Sequence, residues 1–319
     1  MQFFQDTNID FIGKRKIAFI ISCILILAGI VSLIIQGGPR YGIDFTGGVL
    51  LELDFTPDDP TLEPINIQEI RDVLAAHGFG DVEIQDFGNP NYILARFKPA
   101  EDAEKEVTSL LEILHEEFPE YAGNKPLSDF ERRREHVGSK IGAELRSKAV
   151  TAILIALLGI IIYIWWRFEL IFGVSAVITL FHDVIITIGL FSIFGREISL
   201  PVIGAILAIV GYSLNDTIVV FVRIREDLKT YRREKYESVV NHSINETLSR
   251  TIVTSLTTLI VVLCLFIFGG AAINDFAFAF LCGVIIGTYS SVFVASSLLV
   301  TIKNRRVKKM APARRRNSR

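Results

Sequence analysis

Apolar positions along the chain fall into two regimes. Six segments are almost continuously apolar: roughly 17–35, 149–166, 170–194, 198–221, 251–268 and 276–301. At about 1.5 Å per residue each can cross a hydrocarbon layer of about 30 Å, the second and fifth only just. Between the first and second runs the pattern changes to that of a folded water-exposed domain. The expected fold class is a polytopic α-helical membrane protein. It has six transmembrane helices and an α+β ferredoxin-like domain inserted between helices 1 and 2.

The insert, residues 36–148, carries its own element signals. Val49–Phe55 alternates like a half-buried strand. Ile67–His77 places Ile67, Ile70, Val73 and Leu74 at helical spacing, and Gly78 can cap it. Val82–Phe87 and Tyr92–Phe97 are short strands around the turn sequence Gly88–Asn91. Glu101–Phe118 is helical, with Val107, Leu110, Leu111 and Leu114 on one face. Phe130–Val137 is a last strand, and its ERRRE core makes it an edge. The order βαββαβ is that of a ferredoxin-like sandwich. Ser139–Lys148 reads as an amphipathic helix leading into the second span.

Composition agrees with the pattern. Of 319 residues, 50% are hydrophobic and 21% charged, with a mean hydropathy of +0.44. That combination is unusual for a soluble domain. The net charge of −2 argues neither for nor against nucleic acid, and no nucleic-acid partner is expected. Cys23, Cys264 and Cys282 all lie in apolar runs, so the insert needs no disulfide and relies on a packed core. No CxxC or Cys/His cluster points to a structural metal.

Charge sets the expected orientation. Lys14, Arg15 and Lys16 precede the first span, and its length without a following A-x-A site marks a retained helix rather than a signal peptide. Arg167, the basic residues of 222–250 and those after 302 lie on the same side. The opposite short loops hold only Arg196. The positive-inside rule puts both termini in the cytoplasm and the insert outside it. The chain then divides into a cytoplasmic N-terminus (1–16), helix 1 (17–35), the external domain (36–148), helices 2–6 (149–301) with a cytoplasmic loop at 222–250, and a basic tail (302–319). That tail reads as a disordered topology determinant near anionic lipid.

Few residues inside the spans can carry chemistry. Asp216 lies about 10 Å inside the helix end marked by Arg223. An intramembrane carboxylate is costly to insert, and it can take up and release a proton as its surroundings alternate. The plainer reading is a structural hydrogen bond. His182 and Asp183 sit deeper, in the third span, as relay partners of Asp216 or as packing residues. Arg250 opens the fifth span and either pairs with Asp216 or snorkels to the boundary. Asn215, Thr254 and Thr257 are supporting polar groups. Gly204, Ala208 and Gly211, and separately Gly283, Gly287, Ser290, Ser291 and Ala295, mark close helix contacts. No P-loop, HExxH or GxSxG motif is present, so no enzyme activity is expected and an ion gradient is the energy source in view.

Four stretches resemble one family. These are Gly42–Gly48 (GIDFTGG), Gly211–Glu226 (GYSLNDTIVVFVRIRE), Asn245–Thr258 (NETLSRTIVTSLTT) and Gly287–Ser291 (GTYSS). Together with the hydrophobic plan they resemble the bacterial SecF proteins of the SecD/SecF family, over essentially the whole chain. The resemblance implies half of an RND-superfamily transporter, paired with SecD as a separate polypeptide in the inner membrane. It implies association with the SecYEG channel, with SecA and YidC nearby, and membrane lipid around it. It also implies use of the proton motive force to assist preprotein export, without a cofactor. By motif position Asp216 corresponds to the family's membrane aspartate and Arg250 to its partner arginine. Asp44, Gly47 and Gly48 match the motif after helix 1. H⁺ is the expected coupling ion, with Na⁺ open. Many relatives carry Asp where this chain has Val222, which removes an acidic group from that helix end. The rival readings are an RND-like small-molecule or lipid exporter half and a structural translocon scaffold.

Overall fold

The computed structural model describes residues 7–305 except 58, 88, 101, 123 and 124, and omits the side chains of 271 and 272. The basic tail beyond 305 lies outside the described residues. Two compact units divide the chain: Tyr41–Val150 forms one, and the segments on either side form the other.

The inserted unit contains α2 (Ile43–Thr46), β1 (Gly48–Asp54), α3 (Ile67–Ala76), β2 (Glu83–Phe87), β3 (Asn89–Phe97), α4 (Ala103–Glu117), α5 (Leu127–Phe130) and β4 (Glu131–Val137). The sheet runs β2-β3-β1-β4 with every pair antiparallel, the split arrangement expected of a ferredoxin-like order. Val49, Leu51 and Leu53 alternate onto one face, where they meet Ile70 and Leu74 of α3 and Leu110 and Leu114 of α4. Phe55 and Phe130 close that core edge to face at 4.9 Å. Asn66 caps α3 through Gln68 N (2.9 Å), and Asp102 caps α4 through Glu104 N (3.2 Å). β4 is the sheet edge. Arg134 ties it to Glu104 of α4 at 2.8 Å, and Arg132 pairs with the buried Glu52 at 3.2 Å. Charged side chains of this kind keep an open edge from pairing with another chain.

The motif after helix 1 has a steric reason. Gly47 (φ +69°) and Gly48 (φ +130°) adopt backbone angles that side chains disfavour. A Cβ on Gly47 would sit 2.7 Å from the Ser139 backbone, and one on Gly48 would sit 2.7 Å from the Phe97 carbonyl oxygen. The two glycines let α2 cross against the strand ends, with Asp44 on that short helix.

The membrane unit holds α1 (Arg15–Ile35), α7 (Leu170–Ile193), α8 (Leu200–Thr230), α9 (Tyr236–Phe268) and α10 (Ala271–Tyr289). α10 passes into a π-helical segment, Ser290–Ala295, and resumes as α-helix over 296–305. α6 (Ser139–Arg167) starts in the inserted unit and ends in this one, so the expected amphipathic lead and second span are one helix. α7, α8 and α10 bury half or more of their apolar stretches, and α1, α6 and α9 less than a fifth. α6 ends in Trp165, Trp166 and Arg167, an aromatic and basic terminus suited to a membrane interface. α8 and α9 run well past the expected spans. The segment 222–250 is mostly their continuation, joined by a connection of only five residues, 231–235.

Two close approaches organise this bundle. α1 crosses α7 glycine on glycine: a Cβ on Gly29 would meet the Gly189 Cα at 2.7 Å, and the reverse contact is 2.8 Å. Gly283 of α10 accepts the Ile209 side chain of α8, and Gly287 faces Ser213. Small residues allow such contact where lipid gives no hydrophobic drive for association. At the N-terminus, Asn241 Oδ1 accepts from the amides of Phe11 (2.8 Å) and Ile12 (3.2 Å), while Asn245 Oδ1 accepts from Ile9 N (2.9 Å). These bonds pin the segment before α1 to the first three turns of α9.

Gly189→Val should force α1 and α7 apart at a cost of about 1–3 kcal/mol. The check is disulfide cross-linking of cysteine pairs across that contact, with a clear loss expected against Gly189→Ser as the milder change. In the inserted unit, burial alone would raise the Asp54 carboxyl, but hydrogen bonds from Thr56 and the Lys125 ammonium at 3.3 Å outweigh it and hold it below the usual range. A depressed folded-state value contributes stability above the unfolded value, near pH 4, and loses it as pH falls through the folded value. Asp54→Asn should therefore speed amide exchange in β1 at pH 7 and lose that effect as pH falls through the lowered folded-state value.

Candidate functional site

Buried polar groups in the helical bundle gather at two hubs. Asp216 is 3% exposed although α8 is apolar on both sides of it. Its Oδ2 accepts from Ser255 Oγ of α9 at 3.3 Å, and Ser255 in turn accepts from Thr288 Oγ1 of α10 at 2.7 Å. Three helices thus meet at this carboxylate through hydroxyls. On the bilayer side, Ser255 and Thr288 line an apolar groove of about 410 Å³ with Leu256, Leu259, Val284 and Ile285.

Asp183, 1% exposed, is the second hub. Its Oδ2 accepts from Ser213 of α8 (2.5 Å) and Ser290 of the π-helical segment (2.8 Å). Its Oδ1 lies 2.8 Å from His182 Nδ1. His182 Nε2 lies 2.8 Å from Ser22 Oγ of α1, which is 3.2 Å from the Tyr289 hydroxyl, itself donating to the Ala18 carbonyl at 2.7 Å. Every lone pair of consequence has a partner, the condition for keeping a carboxylate inside a bilayer.

The hubs share scaffolding. Ser213 and Asp216 are three residues apart on α8. Thr288, Tyr289 and Ser290 are consecutive on α10, yet they serve Ser255, Ser22 and Asp183 respectively. Successive helical residues point about 100° apart, so one turn reaches three neighbouring helices. The π-helical segment begins at Ser290, and such segments often accompany functional sites.

Arg250 stands apart from this geometry. It is exposed and makes no ion pair within 4.0 Å of Asp216, yet it lies on α9 a little over one turn before Ser255 and its charge acts on the Asp216 carboxylate. Thr254 and Thr257 turn their hydroxyls to their own helix: Thr254 to the Arg250 carbonyl (3.0 Å) and Thr257 to that of Val253 (3.0 Å). Asn215 is exposed, about 100° around α8 from the buried Asp216. Gly204, Ala208 and Gly211 share that outward face, and a Cβ on Gly204 or Gly211 would meet nothing within 4 Å. They are therefore not contacts within this chain. Ser290, expected as a packing residue, is a hydrogen-bond donor to Asp183. Sequence reasoning missed Ser22, Ser213, Ser255, Thr288 and Tyr289 as partners of the two carboxylates. Only the clustering of small hydroxyl residues inside apolar runs hinted at them.

A third cluster lies at the far end of α8. Asp227 (3% exposed) accepts from Ser243 Oγ at 2.7 Å, and Arg223 Nε is 3.3 Å from Asp227 and 2.6 Å from Glu246. Asp227, His242 and Glu246 have the spacing of a cation site. The Arg223 guanidinium already serves both carboxylates, so the group is better described as an ion-pair bolt between α8 and α9. It also puts an acid near the helix end where Val222 lacks one.

Comparison with known proteins places this geometry. Residues 122–305 match the family model described as protein export membrane protein SecD/SecF, C-terminal, and residues 32–59 match the SecD/SecF GG motif. A protein translocase subunit SecF from Desulfurispirillum indicum is 49% identical over 92% of this chain and 91% of its own length. The SecF of Calditerrivibrio nitroreducens is 45% identical over 95% of this chain and 96% of its own. Among solved structures, SecDF from Thermus, described as a translocon-associated membrane protein, superposes with a TM-score of 0.82 at 36% identity. The match covers 94% of this chain and 39% of that longer one. With near full-length agreement to SecF subunits and both family models matched, the chain belongs to the SecD/SecF family of protein export membrane proteins.

Proposed function

We propose that this chain works with a SecD partner in the bacterial inner membrane, and that the pair uses the proton motive force to assist preprotein translocation through the SecYEG channel. Asp216 takes up and releases the driving proton in this reading. The carrying observation is a carboxylate 3% exposed inside an apolar helix, held by the Ser255 hydroxyl of α9, which Thr288 of α10 in turn braces. Such a group responds to small movements of α9 and α10, because each hydroxyl it gains or loses changes how well its charge is tolerated. One elementary charge crossing the membrane supplies about 2.3 kcal/mol per 100 mV. Asp183 and His182 form a second buried station. Arg250, on α9 a little over one turn before Ser255, acts on Asp216 through its charge and closes to a direct ion pair only after a shift of that helix. The basic ends of the chain support a cytoplasmic placement of both termini.

The outward face of α8 supports a partner. Gly204, Ala208, Gly211 and Asn215 leave a smooth track carrying one polar amide. An uncovered amide facing lipid is unfavourable, and small residues are what a closely packed neighbouring helix requires. More than half of the solved SecDF chain lies outside the match, so a partner half of that kind has the right size to cover this track.

Asp216→Asn should abolish proton-dependent export while the protein still accumulates and co-purifies with SecD. Unchanged export at normal protein levels would sink the relay reading and leave the scaffold or exporter alternatives. Gly211→Leu, which adds bulk to the outward track without touching either hub, should reduce SecD co-purification several-fold. Co-purification at the wild-type level would move the partner surface elsewhere.

A further inference from the structure

His182 is buried, and its two ring nitrogens have different kinds of neighbour. Nδ1 faces the Asp183 carboxylate at 2.8 Å, and Nε2 faces the Ser22 hydroxyl at 2.8 Å. When the imidazole is neutral, Nδ1–H donates to the carboxylate, so Nε2 must accept, and Ser22 is the group that donates to it. When one proton is added to the pair, Nε2 becomes a donor and Ser22 must accept. The Ser22 proton then needs a new acceptor. The Tyr289 oxygen stands 3.2 Å away and has already spent its own proton on the Ala18 carbonyl at 2.7 Å. Its lone pairs are free to receive.

We propose that Ser22 and Tyr289 are positioning residues of the relay, and that the Ser22 hydroxyl is a rotor letting His182 gain and lose a proton with every buried polar atom satisfied. The proposal rests on the relay reading above and deepens it. The step adds one proton at His182 Nε2, supplied by the ion gradient, and turns one hydroxyl from Nε2 to Tyr289; no other bond is made or broken. Without Tyr289 the Ser22 hydroxyl loses the acceptor it turns to, and protonation of His182 becomes less favourable. The arrangement also explains why two ordinary residues on α1 and α10 converge on the ring. Ser22 is 4% exposed, and the Tyr289 ring lies 6.5 Å from the His182 ring centroid to centroid. The titratable groups that face the imidazole are Asp183 from its own helix and Tyr289 from α10. From α1 and α8 come the uncharged hydroxyls of Ser22 and, through Asp183, Ser213.

The test is nitrogen NMR of labelled histidine in the full chain with its SecD partner in lipid, with the His182 signal assigned by its loss in His182→Gln. The structure predicts that the neutral ring carries its proton on Nδ1. Tyr289→Phe should displace the His182 titration midpoint by about half a pH unit or more. Ser22→Ala should do the same, Ser22→Thr should restore the wild-type midpoint, and the double variant should add nothing to the single ones. A neutral ring protonated on Nε2, or a midpoint unmoved by both Tyr289→Phe and Ser22→Ala, would overturn the rotor. The readout is independent of export. A failed NMR result beside a dead Asp216→Asn variant removes the rotor alone, and normal export by Asp216→Asn removes the relay reading on which it rests.

Discussion

Hydrogen-bond satisfaction of two carboxylates inside a bilayer is the constraint from which most of the bundle follows. Asp183 and Asp216 cannot be hydrated by lipid, so neighbouring helices supply hydroxyl donors: Ser213 on α8 and Ser290 after α10 to Asp183, and Ser255 on α9, braced by Thr288 of α10, to Asp216. Those donors are short side chains. Short side chains reach only if backbones come close, which is why Gly283 and Gly287 lie against Ile209 and Ser213. α1 must approach as closely to bring Ser22 to His182, and Gly29 on Gly189 permits it. The glycines and the hydroxyls are one design seen from two sides.

The same constraint bears on the proposed partner surface. The inward faces of α7, α8 and α10 pair both buried carboxylates with hydroxyls, whereas the outward face of α8 carries Asn215 and open glycines. In the relay reading, Asp216 and its hydroxyls lie one helix face away from the missing neighbour. A movement of that neighbour reaches the carboxylate through α8 itself. The Arg223–Asp227–Glu246 bolt fixes the far ends of α8 and α9, so motion at the site would be taken up nearer the bilayer centre, where the π-helical turn of α10 begins.

Much of the fold was legible because hydrophobic period is a strong signal. The six spans, the βαββαβ order and the edge character of β4 all follow from spacing and charge. Span ends were less legible. α8 and α9 continue to Thr230 and from Tyr236 because buried Ile224, Val239, Val240 and Ile244 keep an apolar stripe inside a segment whose charges dominate its average. The short helices α2 and α5 were missed, being set by tertiary contacts at Gly47 and Phe130 rather than by propensity. Asp216, Asp183 and His182 stood out as ionisable residues in apolar runs. Their hydroxyl partners did not, since Ser22, Ser255 and Thr288 look like the packing residues common in membrane helices. Arg250 was singled out by its place at a span start; its charge acts on Asp216 without a direct ion pair, a spacing that sequence position alone does not give.

The central claim is that protons, moving by way of Asp216, power the assistance given to export. Proteoliposomes containing this chain, its SecD partner and the channel, loaded with a preprotein arrested midway, allow each gradient to be imposed alone. The account predicts that a pH gradient without sodium completes translocation. Completion driven by a sodium gradient, with none under a pH gradient, would contradict it.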